Sequence, residues 1–451
     1  MFTPHTSLEV EEMLKEIGVA TIEELFDKVP EKYRFPELNL PAGISEMEIA
    51  SELKEIASAN ASTEDFVSFL GAGAYDHYIP AAVDMLLRRG EFYTAYTPYQ
   101  PEISQGTLQA IFEFQSLMTE LTGMDVSNAS HYDGATAAAE AANLAYHFFR
   151  GKRKKMLVAR SVNPQYREVI RTYMQGFDDV QVLGDEVNLG DSSGFEELTD
   201  MIDQNTALVV VQYPDFFGRV INYTKLVNYS HDQGALVAFI FNPTALGLLK
   251  PPGAFDADIA VGDGQPLGIP ISFGGPYLGI FTTKQKYIRK MAGRLVGETV
   301  DVEGNKAYVL TLTAREQHIR RERSTSNICT NQGLMTLATT IYLSLLGKQG
   351  FKQVANLCYQ KAHYAAQQIA QLDGYQLAFP DEPFFHEFVV KTPRPVNEIN
   401  LRLQDHWILG GFDLSEVYPE MQNQMLVAVT EKISKNDIDE FTAALQEVAH
   451  V

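Results

Sequence analysis

The sequence predicts an α/β fold: a large, doubly wound domain with a mostly parallel sheet, followed by a small α+β domain. Three observations predict it. Short apolar strands recur between helical patterns from about 66 to 345. Those strands are almost continuously apolar, as in "ALVVVQYP" (207–214) and "ALVAFIFN" (235–242), which calls for a sheet covered on both faces. From about 346 the pattern shifts to strand, helix, strand, helix in "FFHEFVVK", "VNEINLRLQ", "QMLVAVT" and "NDIDEFTAALQEV".

The elements follow in order. Residues 1–65 form a helical arm, in which "TSLEVEEMLKEIG" opens on a Thr or Ser cap and "TIEELFDKV" repeats the plan, with Thr21 as cap and Glu24 as its reciprocal partner. Pro30 and "RFPELNLPAG" make a linker. In 104–123 the apolar residues Leu108, Ile111, Phe112, Met118 and Leu121 keep helical spacing up to Gly123, a helix terminator. Residues 133–149 are an alanine-rich helix with Asp133 near its start. Strands are expected at 155–160, 180–184, 207–214, 235–242, 257–263 and 278–283. The large domain spans 66–345 and the small one 346–451, where Ser434 and Asp437 offer a capping box for the last helix.

Composition excludes several function classes. The 451-residue chain carries 36 basic and 58 acidic residues, a net charge of −22, which argues against nucleic-acid and anionic-membrane partners. Its one basic run, Arg150–Lys155, reads as a solvated helix end. Two cysteines without metal-site spacing suit a reducing compartment. No stretch approaches the ~20 apolar residues of a membrane span, and no leader pattern opens the chain, so a cytoplasmic protein without a bound metal is expected.

Six stretches carry candidate chemistry. In "SFLGAGAYDHYIP" (68–80), His77 lies among aromatics, where a structural role is the commoner one. In "FYTAYTPYQPEISQG" (92–106), Tyr93, Tyr96 and Tyr99 share a proline-stiffened loop with Gln100 and Glu102, an arrangement that presents hydrogen-bonding groups rigidly. In "NASHYDGATAAAEA" (128–141), the helix start near Asp133 offers free N–H groups to an anion, with Ser130, Tyr132 and Thr136 beside it. In "FIFNPTALGLLKPPGAFDADIAVGDGQ" (239–265), one strand ends in Asn242 and the next leads to Gln265. In α/β enzymes that bind pyridoxal phosphate (PLP), such strands usually end in an aspartate that pairs with the pyridinium nitrogen and lead to a lysine that forms the imine. Asn lacks the charge, and an amide cannot form an imine. Lys250 and Lys284 are the nearest amines, and each reads as a solvated surface residue. "SFGGPYLGIF" (272–281) is glycine-rich but unspecific. In "AREQHIRRERSTSNICTNQ" (314–332), four arginines either pair internally or grip an anion.

Taken together, "FLGAGAYDHYIP", "YTPYQPEISQGTLQ", "NASHYDGATAAAEA", "VQYPDFFG", "GDGQPLGIPISFGGP" and "RRERSTSNICTNQ" resemble the glycine cleavage system P-protein family, specifically its N-terminal half, a separate alpha subunit in many bacteria. The resemblance implies the PLP-dependent transferase-like fold (fold type I). It implies an α2β2 heterotetramer in which a beta subunit carries the PLP lysine, while Gln265 matches the lysine-less first half. Asn242 departs from the aspartate usual there. The implied reaction decarboxylates glycine, with PLP as electron sink, and passes the aminomethyl group to the lipoyl arm of H-protein. The resemblance also suggests that Tyr93, Tyr96, Tyr99, Gln100 and Glu102, with His77 behind them, complete the partner's active site, and that Gln265, Asn242, Ser130, Tyr132 and Thr136 are a degenerate cofactor site. Two alternatives stay open: a stand-alone PLP enzyme using Lys250 or Lys284, and a non-catalytic scaffold or binding protein.

Overall fold

Capping sets the ends of the first helices. In the computed structural model, which describes residues 4–187 and 194–450, the chain divides into two units, residues 1–61 and 62–451. In the first unit, α1 (Ser7–Ile17) opens on a reciprocal capping box between Thr6 and Glu9 and stops at Gly18, whose φ of 88° is left-handed. A second helix, α2 (Glu46–Ala57), repeats the device with Ser45 and Glu48. The helix expected in "TIEELFDKV" is only a 3-10 turn, Glu23–Phe26. Its N-cap is Ile22, which has no side-chain acceptor, and Glu24 instead takes the N–H of Ala20. So short a segment, closed by Pro30, cannot offset the cost of nucleating a helix.

The second unit is built on a seven-stranded sheet. Its strands are β1 (Val126–Ser127), β2 (Lys155–Val158), β3 (Gln181–Leu183), β4 (Thr206–Tyr213), β5 (Leu236–Phe241), β6 (Ile259–Asp263) and β7 (Gly279–Thr283). They lie in the order β1-β7-β6-β5-β4-β2-β3. The run from β6 to β3 is parallel, and β7 is antiparallel to both its neighbours. Every residue of β5 is buried, and all but Gln212 of β4, as two-sided covering requires.

The helices include α3 (Gln105–Thr122), α4 (Gly134–Phe148) and α5 (Pro164–Met174). The expected 104–123 helix is α3, ended by Gly123 with φ 66°. In α4, Ala137, Ala138, Ala139, Ala141 and Ala142 are all buried. Alanine lets this helix approach β5, β6, β7 and α5 closely on all sides. Beyond the sheet, a hairpin of β8 (Leu295–Val300) and β9 (Lys306–Thr311) precedes the long helix α6 (Gly333–Ile369), which kinks at Gly347.

The chain closes on a four-stranded antiparallel sheet, ordered β10 (Gln376–Leu377), β11 (Glu387–Lys391), β13 (Gln424–Ala428), β12 (Phe412–Asp413), with helices α7 (Val396–Leu403) and α8 (Lys435–His450). Ser434 and Asp437 form the expected reciprocal cap of α8. Phe69 stacks on Phe441 at 4.0 Å within this core.

The basic run is not a free helix end. Arg153 donates to the carbonyls of Thr206 (2.9 Å) and Gln233 (3.0 Å), Lys154 pairs with Asp179 and Lys155 with Asp203, so the run pins strand ends. Lys284 likewise is tied to Asp256 and Asp258, whereas Lys250 is exposed over the Phe255 ring. No helix of the described residues is long and apolar enough to cross a membrane.

Candidate functional site

Open parallel sheets place ligands beyond the carboxyl ends of their strands. Here Asn242 directly follows β5 and Asp263 ends β6, opposite the N-terminus of α4. The space between them is almost filled. About 40 Å³ remains among Gly73, Tyr75, Tyr166, Asn242, Asp263 and Pro266, room for about three waters.

Gln265 holds one wall of this space, Tyr75, in place. It is buried, and its amide clamps the chain 190 positions away: Oε1 accepts from Tyr75 N (2.9 Å), and Nε2 donates to Tyr75 O (2.8 Å) and Ile269 O (2.9 Å). All three partners are backbone groups of buried residues, so the amide satisfies them where an amine could serve only the carbonyls. Tyr75 in turn donates its hydroxyl to Glu387 (2.7 Å), whose other oxygen accepts from Ala72 N (2.8 Å). Burial pushes the Glu387 carboxyl up to about 7.

The helix N-terminus is occupied from within the chain. Asp263 accepts from Gly134 N (2.9 Å) and from Gln265 N (2.8 Å), and Asp133 caps Thr136 N (2.7 Å). A carboxylate therefore stands where a phosphate would sit on the helix dipole. Desolvation pushes Asp263 up to about 7 in spite of those donors. It also pushes the Tyr166 hydroxyl well above its ordinary range, helped by the neighbouring charges of Asp263 and Asp133.

The residues expected in the degenerate cofactor site divide. Asn242 lines the small pocket, while Gln265 is buried beside it against Tyr75. Asn242 is committed elsewhere: Oδ1 accepts from Thr244 N (2.9 Å), and Nδ2 lies 3.0 Å from His386 Nε2. Ser130 is fully buried, with its Oγ accepting from Gln332 N (3.1 Å), and Thr136 is held in the Asp133 capping box. Tyr132 lines a different cavity, beside Glu140 and Tyr173. Neither the space nor the donors fit a pyridoxal phosphate: the amine is missing, Asp263 takes the N–H of Gly134 at the helix start, and only about 40 Å³ is left among Gly73, Tyr75, Tyr166 and Asn242.

The tyrosine loop is presented outward. Tyr93, Tyr96 and Tyr99 are 70%, 70% and 76% exposed, with the rings of Tyr96 and Tyr99 6.0 Å apart. Gln100 and Glu102 are exposed beside them. The loop is held firmly from beneath. Pro98 is buried, the Gln100 carbonyl accepts from Ile103 N and Ser104 N, and Gln105 bridges Pro101 O (2.9 Å) to both backbone groups of Tyr308 on β9 (3.0 and 2.8 Å).

His77 does not stand behind this loop. It is buried, with Nδ1 2.7 Å from Glu431 Oε2, and Cys358 donates to the same oxygen at 3.3 Å. Its segment is drawn there because Tyr78 N also donates to Glu431 (2.7 Å), and Thr430 Oγ1 to Asp76 O (2.7 Å). Burial opposes ionisation of Glu431, but His77 and the Tyr78 N–H outweigh it and hold the carboxyl at about 2. The three side chains bring ligand-type atoms within 4.8 Å of one another, and hydrogen bonds already join them through the carboxylate. In the arginine-rich segment, Arg315 donates to the carbonyls of Met291 and Gly293, while Arg320, Arg321 and Arg323 are exposed.

Sequence reasoning missed Asp263, Tyr166, Glu387 and Glu140. Asp263 stood in plain view in "GDGQ", two residues before Gln265; the others reach their places only through long-range folding.

Comparison with known proteins places the chain among relatives of one family. The family model described as "Glycine cleavage system P-protein" matches residues 1–445. A curated protein of Thermomicrobium roseum, named "Probable glycine dehydrogenase (decarboxylating) subunit 1", is 52% identical over 449 residues, 99% of each chain. A solved glycine decarboxylase (P-protein) of the glycine cleavage system, in inhibitor-bound form, superposes with a TM-score of 0.90 at 40% identity, over 99% of this chain and 100% of that one. The sphingosine-1-phosphate lyase of Burkholderia pseudomallei shares the fold alone, with a TM-score of 0.65 at 14% identity over 94% of this chain and 95% of that one.

Proposed function

This chain belongs to the glycine cleavage system P-protein family, and we propose that it acts there as the alpha subunit (subunit 1) of glycine dehydrogenase (decarboxylating), inactive without its partner. The observation that carries this reading is the buried Gln265 amide, bonded to the Tyr75 backbone where an active enzyme of this fold needs an amine, beside a pocket with only about 40 Å³ left for a cofactor. The chain keeps the frame of a cofactor site and uses it as core.

In this reading a beta subunit, joined to this chain as α2β2 in the cytoplasm, holds pyridoxal phosphate on its own lysine. The cofactor supplies the electron sink for decarboxylation of glycine. CO2 leaves, and the aminomethyl group passes to the lipoyl arm of H-protein. No step runs through the pocket of this chain.

What this chain supplies is its tyrosine loop, which completes the partner's site. Three phenols offer O–H donors, Gln100 adds an amide and Glu102 a carboxylate. So much aromatic surface on a loop pinned at Pro98 and Gln105 favours a preorganised contact, since a rigid loop loses little freedom on docking. At the seam these groups orient substrate and keep water out.

The test is substitution of Tyr93, Tyr96 and Tyr99 together by alanine. The assembled complex is expected to lose glycine decarboxylation by about a hundredfold, while the thermal midpoint of the isolated chain stays within about 1 °C, because exposed side chains contribute little to stability. Full activity of the triple variant in the complex would overturn the loop's role and leave the subunit assignment standing.

A further inference from the structure

A second cavity lies where α4 and α5 meet the segment 322–328. It measures about 410 Å³ and opens to solvent. Its floor is Glu140, only 4% exposed. Glu140 Oε1 accepts from Ser326 Oγ (2.8 Å), and Oε2 accepts from Asn143 Nδ2 (3.1 Å). Both donors are neutral. No ion pair reaches this carboxylate among the described residues, although buried charges are ordinarily paired. Burial accordingly pushes its carboxyl up to about 7.

The rest of the lining has the same polarity. Asn143 gives its amide protons to Glu140 and to the Thr325 carbonyl, which leaves its buried Oδ1 without a donor among the described residues. A buried carbonyl oxygen of this kind calls for a partner. The walls are the rings of Tyr132, Tyr173 and Phe177, whose faces attract cations. The nearby arginines do not fill the gap: Arg321 and Arg323 are exposed, and the nearest acid to Arg323 is Glu322, at 3.8 Å. His147, at the rim, has its pKa lowered by burial and by Lys290, so it too leaves the carboxylate uncompensated at neutral pH. The pocket has acceptors and aromatic faces to spare and a missing counter-charge.

We propose that this pocket binds an ammonium group, held by Glu140 and the Asn143 carbonyl oxygen against the rings of Tyr132 and Tyr173. The group comes either from a free small amine or from a lysine of the partner subunit. The site is independent of the tyrosine loop and of the closed pocket at Gln265.

Ethylammonium chloride is the probe, with potassium chloride at matched ionic strength as control, and thermal unfolding of the full chain as the readout. Ethylammonium is expected to raise the midpoint of the wild-type chain where potassium does not. Glu140→Gln is expected to abolish that rise, weakening the affinity by about tenfold or more, while unfolding no earlier than wild type without amine. Tyr173→Leu, at the wall, is expected to weaken affinity by about fivefold and keeps the test open if the first variant folds poorly. Repeating the titration on the complex with the beta subunit separates the two sources. A rise that persists identifies a free amine, and one that vanishes on assembly identifies the partner's lysine. Equal responses to ethylammonium and potassium, or a response undiminished in both variants, would overturn the proposal.

Discussion

Replacing Gln265 with lysine restores the amine that this fold uses elsewhere, yet it is expected to yield no cofactor-binding chain. The lysine leaves Tyr75 N without its acceptor and sits where no pyridine ring fits. The variant is expected to lose about 3 kcal/mol of stability in urea unfolding and to show no visible absorbance of a lysine-bound pyridoxal. A stable, coloured variant would contradict the closed pocket. A comparable loss is expected at His77. His77→Ala strands the Glu431 carboxylate, buried and held at about 2 by its donors, at a cost of about 3 kcal/mol. Residue by residue, the sequence made the missing amine legible, because Gln265 occupies a position whose chemistry is specific. It did not show the destinations of Ser130, Tyr132 and His77. Ser130 meets Gln332, His77 meets Glu431, and Tyr132 lines a cavity with Tyr173; all three neighbours are far along the chain, and local pattern carries no record of them.

The junction between β6 and α4 is where two elements are welded. A Cβ on Gly134 would come 2.2 Å from the Tyr166 hydroxyl and 2.8 Å from Asp263 N. Gly134→Ala must therefore push the helix start off the strand end, at an expected cost of about 2–3 kcal/mol in denaturant unfolding. An unchanged midpoint would mean that the junction is looser than its hydrogen bonds suggest. Elements with strong local signals were legible in the sequence. Helix α3 falls within one residue of its expected bounds, because its apolar spacing and Gly123 both act locally. The 3-10 turn at Glu23–Phe26 was misread as a helix, because capping residues alone do not make so short a segment helical. The two-residue strands β1, β10 and β12 left no pattern to read, since each exists only through its neighbour in a sheet.

Over the whole molecule, buried titratable groups oppose one another. Glu140, Asp263 and Glu387 are pushed up to about 7, so the folded chain keeps protons that the unfolded chain releases above about pH 4. That contribution is full below the unfolded values and is lost as pH rises towards 7. His131 and His386, pushed down to about 3 by burial, act in the other direction: the unfolded chain takes up protons below about pH 6.5, so stability falls as pH drops. Glu140→Gln isolates one group. Between about pH 5 and pH 8 the variant is expected to gain about 2–3 kcal/mol relative to wild type, measured by urea unfolding at each pH. A difference that does not change with pH would mean that Glu140 is already paired. The doubly wound architecture was legible at this scale because β4 and β5 are apolar on both faces, which only a covered sheet explains. The closure of its ligand crevice was not, since it depends on groups from 75, 134, 166, 263 and 387 meeting at one point. The central claim is that this chain is an alpha subunit with no working cofactor site of its own. The exchange of labelled bicarbonate into the carboxyl of glycine tests it most directly, measured with pyridoxal phosphate on this chain alone and then with a cognate beta subunit and H-protein. Exchange in the full mixture and none from the chain alone is the predicted result; exchange catalysed by the chain alone would contradict it.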